Sequence, residues 1–181
     1  MGNVSIVIGS WGSYNECNNR ALGSKWLKLN LFDEWKQIED ELVKEGFELK
    51  GIDEELFIQD VEGLPSGCTN WDNMSPKKLF EILTDSGVLD SSYKFDVMTA
   101  YLEVRNFDDF EERVEQYGEN WDTDIILYKG FDYDDYGREM FETSGYNLPA
   151  HLEDFFDFEE YGKYLATDYV HECSDGLIEI F

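Results

Sequence analysis

A large excess of negative charge on a chain rich in aromatic residues is the feature that most limits what this sequence can form. The 181 residues include 41 Asp and Glu against 14 Lys and Arg, for a formal net charge of -27. An acidic chain with few apolar residues stays disordered, because it cannot bury enough apolar surface to offset the entropy lost on folding. Here 42% of the residues are hydrophobic and 16% are aromatic. We therefore expect a folded protein that tolerates strong self-repulsion.

The sign of this charge indicates the kind of partner. Nucleic acids and anionic membranes are both bound through Lys and Arg, so direct binding to either is disfavoured. A basic partner is favoured instead, and proteins that hold nucleic acid are the most reliably basic class. Solubility and adaptation to salt are the alternative explanations for the same composition.

The length suits one domain or a few small ones. Residues 1–10 lack a basic region followed by an apolar run, and 18 consecutive apolar residues occur nowhere, so we expect neither a signal peptide nor a transmembrane helix, and a cytoplasmic location. The cysteines at 17, 68 and 173 are too few and too far apart for a disulfide framework or a CxxC site. We expect ordinary thiols.

Local patterns predict an α+β chain of three small modules: a mixed α/β module at 1–71, a helical module at 72–120 and a second mixed α/β module at 121–181. Glycine, proline and small polar residues predict a linker at 63–72. The predicted strands span 4–8, 22–29, 56–59, 125–128, 169–173 and 177–181, the last two forming a hairpin. The predicted helices span 35–46 with Asp33 as its cap, 75–83, 93–104, 107–117, 132–144 and 149–165.

Two of these helices carry rows of acids that few bases relieve. Along 107–119, acids four residues apart form three like-charge pairs, each unfavourable by roughly 0.2–0.5 kcal/mol. Along 149–165, acids recur at 153, 157 and 160, opposite a side expected to be buried and made of Leu152, Phe155, Phe156, Tyr164 and Leu165. Carboxylates one helical turn apart lie about 6 Å apart along the axis, against about 3.4 Å per charge on a DNA strand. Two stripes side by side would approximate a phosphate backbone, whereas a solvated helix face is the alternative.

Metal and catalytic chemistry find little support in the sequence. The aspartates of 132–135 begin like an EF-hand loop with Gly137 at its sixth position, but Thr143 stands at the twelfth, where a bidentate Glu is required. The two histidines lie outside any HExxH motif, and no GxSxG motif or phosphate-binding glycine loop is present. A pair of carboxylates that converges in space stays open as an enzymatic alternative. We expect no enzyme, no metal and no cofactor.

The two ends of the chain resemble the ArdA family of antirestriction proteins. Residues 6–16, followed by Leu22-Gly23 and Trp26, resemble the family's first strand and its Gly-x-Tyr-Asn-Glu turn. The C-terminal pattern is matched by Glu142-Thr143, Gly145, Pro149-Ala150, Leu152, Tyr161-Gly162-Lys163 and Gly176-Leu177-Ile178-Glu179-Ile180. The loop 17–21 is longer than is usual in the family, and 60–106 matches only loosely, chiefly at 77–83.

This resemblance implies an elongated DNA mimic encoded by a mobile element. ArdA proteins dimerise through the C-terminal module, present carboxylates like the phosphates of bent B-form DNA, and occupy the DNA groove of Type I restriction-modification enzymes. The expected partners are the methyltransferase core of such an enzyme and a second copy of the chain. An acidic protein that sequesters another basic DNA-binding protein, such as a nucleoid-associated protein, is the rival hypothesis. The acids expected to form the mimicking surface, collectively and without catalysis, are Asp108, Asp109, Glu111, Glu112, Glu115, Glu119, Asp122, Asp124, Asp132, Asp134, Asp135, Glu153, Asp157 and Glu160.

Overall fold

The computed structural model describes residues 3–69, 71, 74–166 and 168–181, which form two compact units, 1–121 and 122–181. Helices and small antiparallel sheets are mixed in the chain, which confirms the α+β class. The helices are α1 (Trp11–Asn15), α2 (Trp35–Lys44), α3 (Pro76–Asp85), α4 (Ser92–Val104), α5 (Phe107–Tyr117), α6 (Tyr133–Thr143), α7 (Ala150–Glu153) and α8 (Phe158–Leu165). The strands are β1 (Ser5–Ser10), β2 (Leu27–Lys28), β3 (Leu56–Glu62), β4 (Ile125–Lys129), β5 (Val170–Cys173) and β6 (Gly176–Ile180).

The division into three modules stays a prediction. Its first boundary falls next to Asp72, which lies outside the described residues, as does part of the predicted linker. Trp121, the first residue of the predicted third module, is fully buried in the first unit. Its indole N–H donates to the Ser86 carbonyl over 3.1 Å, and its ring meets Phe110 edge-on at 4.9 Å between centroids. This tryptophan therefore belongs to the core beneath α5.

The first unit opens with a three-stranded antiparallel sheet in the order β2-β1-β3. The central strand β1 is buried along its whole length, and Ile38 and Leu42 of α2 are fully buried in the same unit. The predicted strand at 22–29 is wrong for most of its length, because only Leu27 and Lys28 pair with β1. Gly23 instead adopts a φ of +78° and turns the chain before this strand begins.

The cap predicted for α2 is also wrong. The residue at the N-cap position is Glu34, and its side chain makes no capping hydrogen bond. Asp33 contributes its backbone N–H, which donates to the Gln37 side chain over 2.8 Å. The amide of Gln37 thus satisfies a backbone donor ahead of the helix in the way a capping-box residue does.

The segment that resembles the ArdA turn forms the short helix α1, which is not among the predicted helices. Ser10 caps it by accepting from the Ser13 N–H over 3.3 Å. A Cβ added to Gly12 would lie 2.1 Å from the Ile52 carbonyl oxygen, so only glycine allows this contact. The motif therefore holds the end of β1 against the loop that precedes β3.

Asp53 anchors this packing and is the one fully buried acid among the described residues. Its carboxylate accepts from the Ser13 hydroxyl and from the Glu48 N–H, and it lies 3.0 Å from the Arg20 Nε. Burial raises the pKa of Asp53, but these hydrogen bonds and the Arg20 charge outweigh it and leave the pKa below its usual value. The carboxylate is therefore a structural group and not part of the acidic surface.

The second unit places α6 and α8 against each other and carries a sheet in the order β4-β6-β5. Its small core centres on Tyr136, Val170 and Leu177. Glu179 of β6 accepts from the Tyr128 hydroxyl over 3.0 Å and from that of Tyr136 over 3.5 Å. Burial, together with this carboxylate, raises the pKa of Tyr136 to about 12.

The single helix predicted at 149–165 is wrong, because the chain forms α7 and α8 with a turn between them. The Asp157 carboxylate accepts from the Glu160 N–H over 2.9 Å and starts a new helix at Phe158. The break changes which side chains face inward, so Phe155 and Tyr164, expected in the core, are 84% and 79% exposed. Leu152 is also exposed, and the buried positions of α8 are Phe158 and Gly162.

Among the described residues, none of the helices is both long enough and apolar enough to cross a membrane.

Candidate functional site

The acids of α5 are directed outward by the apolar face of the same helix. Phe107, Phe110 and Val114 are buried at spacings of three and four residues, which fixes the rotation of the helix. Asn106 caps the helix by accepting from the Asp109 N–H over 2.8 Å, and two acids stand in the first turn, where the helix dipole favours negative charge. The predicted helix at 107–117 has the bounds that the structure shows.

Exposure along α5 separates the predicted acids into two groups. Asp108, Glu112 and Glu115 are exposed, whereas Asp109 and Glu111 are half-buried. Glu111 forms a salt bridge with Lys78 of α3, and this hydrogen bond raises the pKa of the lysine. The other acids of α5 have no such partner among the described cations, so the unpaired negative charge of this helix lies at 108, 112 and 115, which are exposed, and at the half-buried 109.

Arg113, the base of α5, donates to a backbone carbonyl and not to a neighbouring carboxylate. Arg113 donates from Nε to the Trp121 carbonyl over 3.1 Å, and its guanidinium lies 5.9 Å from the centre of the Tyr117 ring. Lys94 likewise donates to the backbone carbonyl of Glu119 rather than to the carboxylate. Both cations therefore hold backbone in place and leave neighbouring side-chain carboxylates unpaired.

Acids continue past the end of α5 into the segment before β4. Glu119 lies in a short 3-10 turn with its side chain exposed. Asp122 and Asp124 use their backbone carbonyls to accept from Ile125 and Phe181, respectively, over 3.0 Å each. Asp124 is exposed and Asp122 is half-buried.

The aspartates at the start of α6 build the helix rather than a metal site. Asp132 and Asp135 form a reciprocal capping box, with the Asp135 N–H donating to Asp132 over 3.0 Å. Asp134 pairs with Arg138, whose Nε and terminal nitrogen lie 2.6 and 3.3 Å from its two oxygens. Within the described part of the chain, no group of three His, Cys, Asp or Glu could hold a metal ion.

Glu153, Asp157 and Glu160 do not form the predicted helical stripe, because they lie on α7, at the cap of α8 and in the first turn of α8, respectively. All three are nevertheless exposed. Glu160 lies 3.8 Å from Lys163, which also pairs with Glu159. The acids are at the surface as expected, but in a different spatial pattern.

Taken together, ten of the fourteen predicted acids are exposed, four are half-buried and none is buried. Three of the fourteen lie in salt bridges, namely Glu111, Asp134 and Glu160, which leaves eleven without a partner among the described cations. The second unit holds 16 acids and three bases, a net charge of -13, and each of those bases already pairs with a nearby acid. The surface therefore presents negative charge that the protein itself does not neutralise.

Between residues 135 and 157, three further acids share this surface character but were not in the predicted set. Glu139, Glu142 and Asp154 are exposed and have no salt bridge to a described cation. They lie between acids that were included. Their charge and position alone would have predicted them, but they lie outside the regular acidic stripes on which the prediction rested.

This arrangement suits collective electrostatics and not localised chemistry. Exposed carboxylates in water contribute little one by one, but their summed potential attracts a basic surface over a distance set by the ionic strength. The family model for the antirestriction protein ArdA matches residues 6–179 of the 181. The chain belongs to the ArdA family. No curated protein matches the sequence.

The ArdA match extends well beyond the two terminal blocks that carried the resemblance. It includes residues 60–106, where the sequence resembles the family only loosely. Two of the motifs that carried the resemblance take part in packing. The turn motif forms α1, and the glycine of the Tyr-Gly-Lys motif lies in α8, in close contact with α6. In this chain, these two motifs therefore serve packing, while the acidic side chains supply the surface of this antirestriction protein.

Proposed function

We propose that this ArdA chain inhibits Type I restriction-modification enzymes by occupying their DNA groove as a mimic of the phosphate backbone. The observation that carries the proposal is the outward position of the fourteen predicted acids, none of which is buried and eleven of which lack a salt bridge to a described cation. DNA-binding grooves present Lys and Arg to phosphates, so a fixed array of carboxylates competes for the same cations. No cofactor takes part.

We further propose that the inhibitor acts as a dimer joined through its second unit. Several apolar side chains of that unit are exposed, including Phe155 and Tyr164 at 84% and 79%, and Tyr169 and Phe181, which stack on each other. Exposed aromatic groups are favoured at protein interfaces. A second copy of the chain would bury them and would double the length of the mimicked duplex.

The decisive experiment is competition for a purified Type I methyltransferase. Fluorescence anisotropy of a labelled duplex that contains the recognition site reports DNA displacement as the protein is added. We expect displacement at stoichiometric protein and weaker inhibition as salt is raised, because the competing contacts are electrostatic. Unchanged DNA binding at saturating protein, for enzymes from several specificity families, would contradict the proposal. Displacement of DNA from histone-like proteins alone would instead support the sequestration of a nucleoid-associated protein.

A further inference from the structure

The first unit contains a cleft with two tryptophans in its wall, which we call the tryptophan cleft. It is lined mainly by Trp11, Trp35, Leu56 and the three glutamates Glu39, Glu54 and Glu55, and its volume is about 490 Å³. Two tryptophans and three glutamates around one cavity make a site with both apolar and anionic residues. None of these residues belongs to the predicted mimicking surface.

Neighbouring aromatic rings hold the indoles of the cleft in place. Trp11 stacks on Phe57 with centroids 4.0 Å apart, and its backbone N–H donates to the Glu55 carbonyl over 3.0 Å. Trp35 packs against Phe80 at 6.2 Å between centroids. Trp11 nevertheless remains 36% exposed. These contacts restrict the two indoles before any ligand binds, which lowers the ordering entropy that they lose on binding.

The glutamates of the cleft differ in whether they already have a hydrogen-bond or salt-bridge partner. Glu39 accepts from the Trp35 indole N–H over 3.0 Å and pairs with Lys36 at 3.4 Å. Glu54 and Glu55 are exposed and pair with none of the described cations. The cleft's own lysine, Lys77, is directed along α3 to Glu81, 3.7 Å away. Two glutamates of a cleft that also contains two tryptophans therefore remain without a described cation as partner.

We propose that the tryptophan cleft binds an arginine side chain of a basic protein partner. Indole is the aromatic group that attracts cations most strongly. The planar guanidinium is more weakly hydrated than an ammonium, stacks on aromatic faces and bonds to carboxylates with two parallel N–H groups, so arginine fits this combination better than lysine. The identity of the partner as a DNA-binding enzyme rests on the proposed function, whereas binding of the guanidinium does not.

The test uses the protein's own tryptophans as local reporters. The full chain is labelled with fluorotryptophan, and fluorine NMR follows a titration with N-acetyl-arginine amide at physiological salt. The neutral isostere N-acetyl-citrulline amide serves as the control ligand. We expect saturable shifts at Trp11 and Trp35, no comparable shift at Trp26, Trp71 or Trp121, and no response to citrulline. Equal shifts at all five indoles, equal effects of both ligands, or no saturable shift would overturn the proposal.

Matched variants separate the cleft from the general charge of the protein. Glu54→Gln with Glu55→Gln should weaken arginine amide binding at least about threefold, because the hydrogen-bonded carboxylates are lost. Glu48→Gln with Glu62→Gln removes the same charge from exposed positions outside the cleft and should leave binding unchanged. Equal weakening in both pairs would show that only the overall charge matters.

The same variants then connect the cleft to the partner. In the methyltransferase competition assay, we expect the cleft pair to inhibit less well than the control pair by a comparable factor. Equal inhibition by the two pairs would contradict a role of the cleft in that complex. The NMR titration contains no restriction enzyme, so failure of the cleft and failure of the proposed inhibition are distinguishable.

Discussion

Gly137 of α6 and Gly162 of α8 face each other where the two helices cross. A Cβ on Gly137 would lie 2.0 Å from the Phe158 carbonyl oxygen, and one on Gly162 would lie 2.0 Å from that of Tyr133. Each added atom would also come within 3.0 Å of the backbone nitrogen of the other glycine. The helices therefore pack backbone against backbone, at a distance that no side chain permits.

We expect Gly162→Ala to destabilise the second unit by about 1–3 kcal/mol, since the helices must separate to admit the methyl group. Alanine has the higher helix propensity, so a loss of stability identifies the crossing as its cause. Urea unfolding followed by circular dichroism measures the change. Glu139→Ala, at an exposed position of the facing helix α6, is the control and should cost much less. A neutral or stabilising Gly162→Ala would show that the crossing tolerates a side chain.

Asp53→Asn should destabilise the first unit by about 3–5 kcal/mol at neutral pH, because it leaves the Arg20 charge without its buried partner. The pKa of Asp53 is below its usual value, so the carboxylate stabilises the fold above the unfolded-state pKa of about 4, and this contribution is lost as pH falls further. The difference in the free energy of unfolding between variant and wild type, measured by urea unfolding, should therefore become smaller toward pH 3.

Comparing the two proteins at each pH is necessary, because protonating many surface acids also relieves the self-repulsion of the whole chain. Glu48→Gln removes an exposed carboxylate from the same region and should have little effect at any pH. The role of the buried carboxylate would be contradicted if the difference in the free energy of unfolding between Asp53→Asn and wild type stayed constant from neutral to strongly acidic pH.

Most elements of the fold were predictable because their own residues specify them. The helix α5 combines an Asn cap, acids in its first turn and three buried apolar residues, and the prediction matched its bounds. The single helix predicted at 149–165 was wrong because Asp157, whose spacing is compatible with a helix, is the N-cap of α8. The residues that α8 buries are Phe158 and Gly162. The strand predicted at 22–29 was wrong for most of its length because Gly23 adopts a left-handed backbone conformation. The alternation of apolar and polar residues around it gives no sign of this conformation.

The acidic surface was predictable in composition but not in geometry. Carboxylates are costly to bury, so predicting that the fourteen acids lie at the surface required only their charge. Which of them are paired depends on neighbours from other elements, as Lys78 of α3 shows for Glu111. The tryptophan cleft escaped prediction for the same reason, since Trp11 and Trp35 are brought together only by the folded unit.

Inhibition should be spread over many carboxylates. Glu112→Gln or Asp157→Asn alone should cost on the order of 1 kcal/mol or less in binding to the methyltransferase, because each exposed acid supplies a small share of the field. Neutralising six or more acids within 108–135 should weaken binding substantially and flatten its dependence on salt. Competition assays across salt concentrations measure both effects. A single exposed substitution that abolished inhibition while leaving the fold intact would indicate a localised site instead.

Self-association should depend on the exposed aromatic groups of the second unit. Two bodies of like charge repel, so apolar contacts must outweigh that repulsion, and the dimer should dissociate more readily as salt is lowered. We expect Phe155→Ser with Tyr164→Ser to raise the dimer dissociation constant by at least about tenfold, as for aromatic anchors of interfaces. Leu22→Ser, at a position 85% exposed in the first unit, should leave it unchanged. Sedimentation equilibrium is the suitable measurement, because it reports mass independently of shape. A monomer mass at micromolar protein in physiological salt, with full inhibition, would rule out the dimer as the active form.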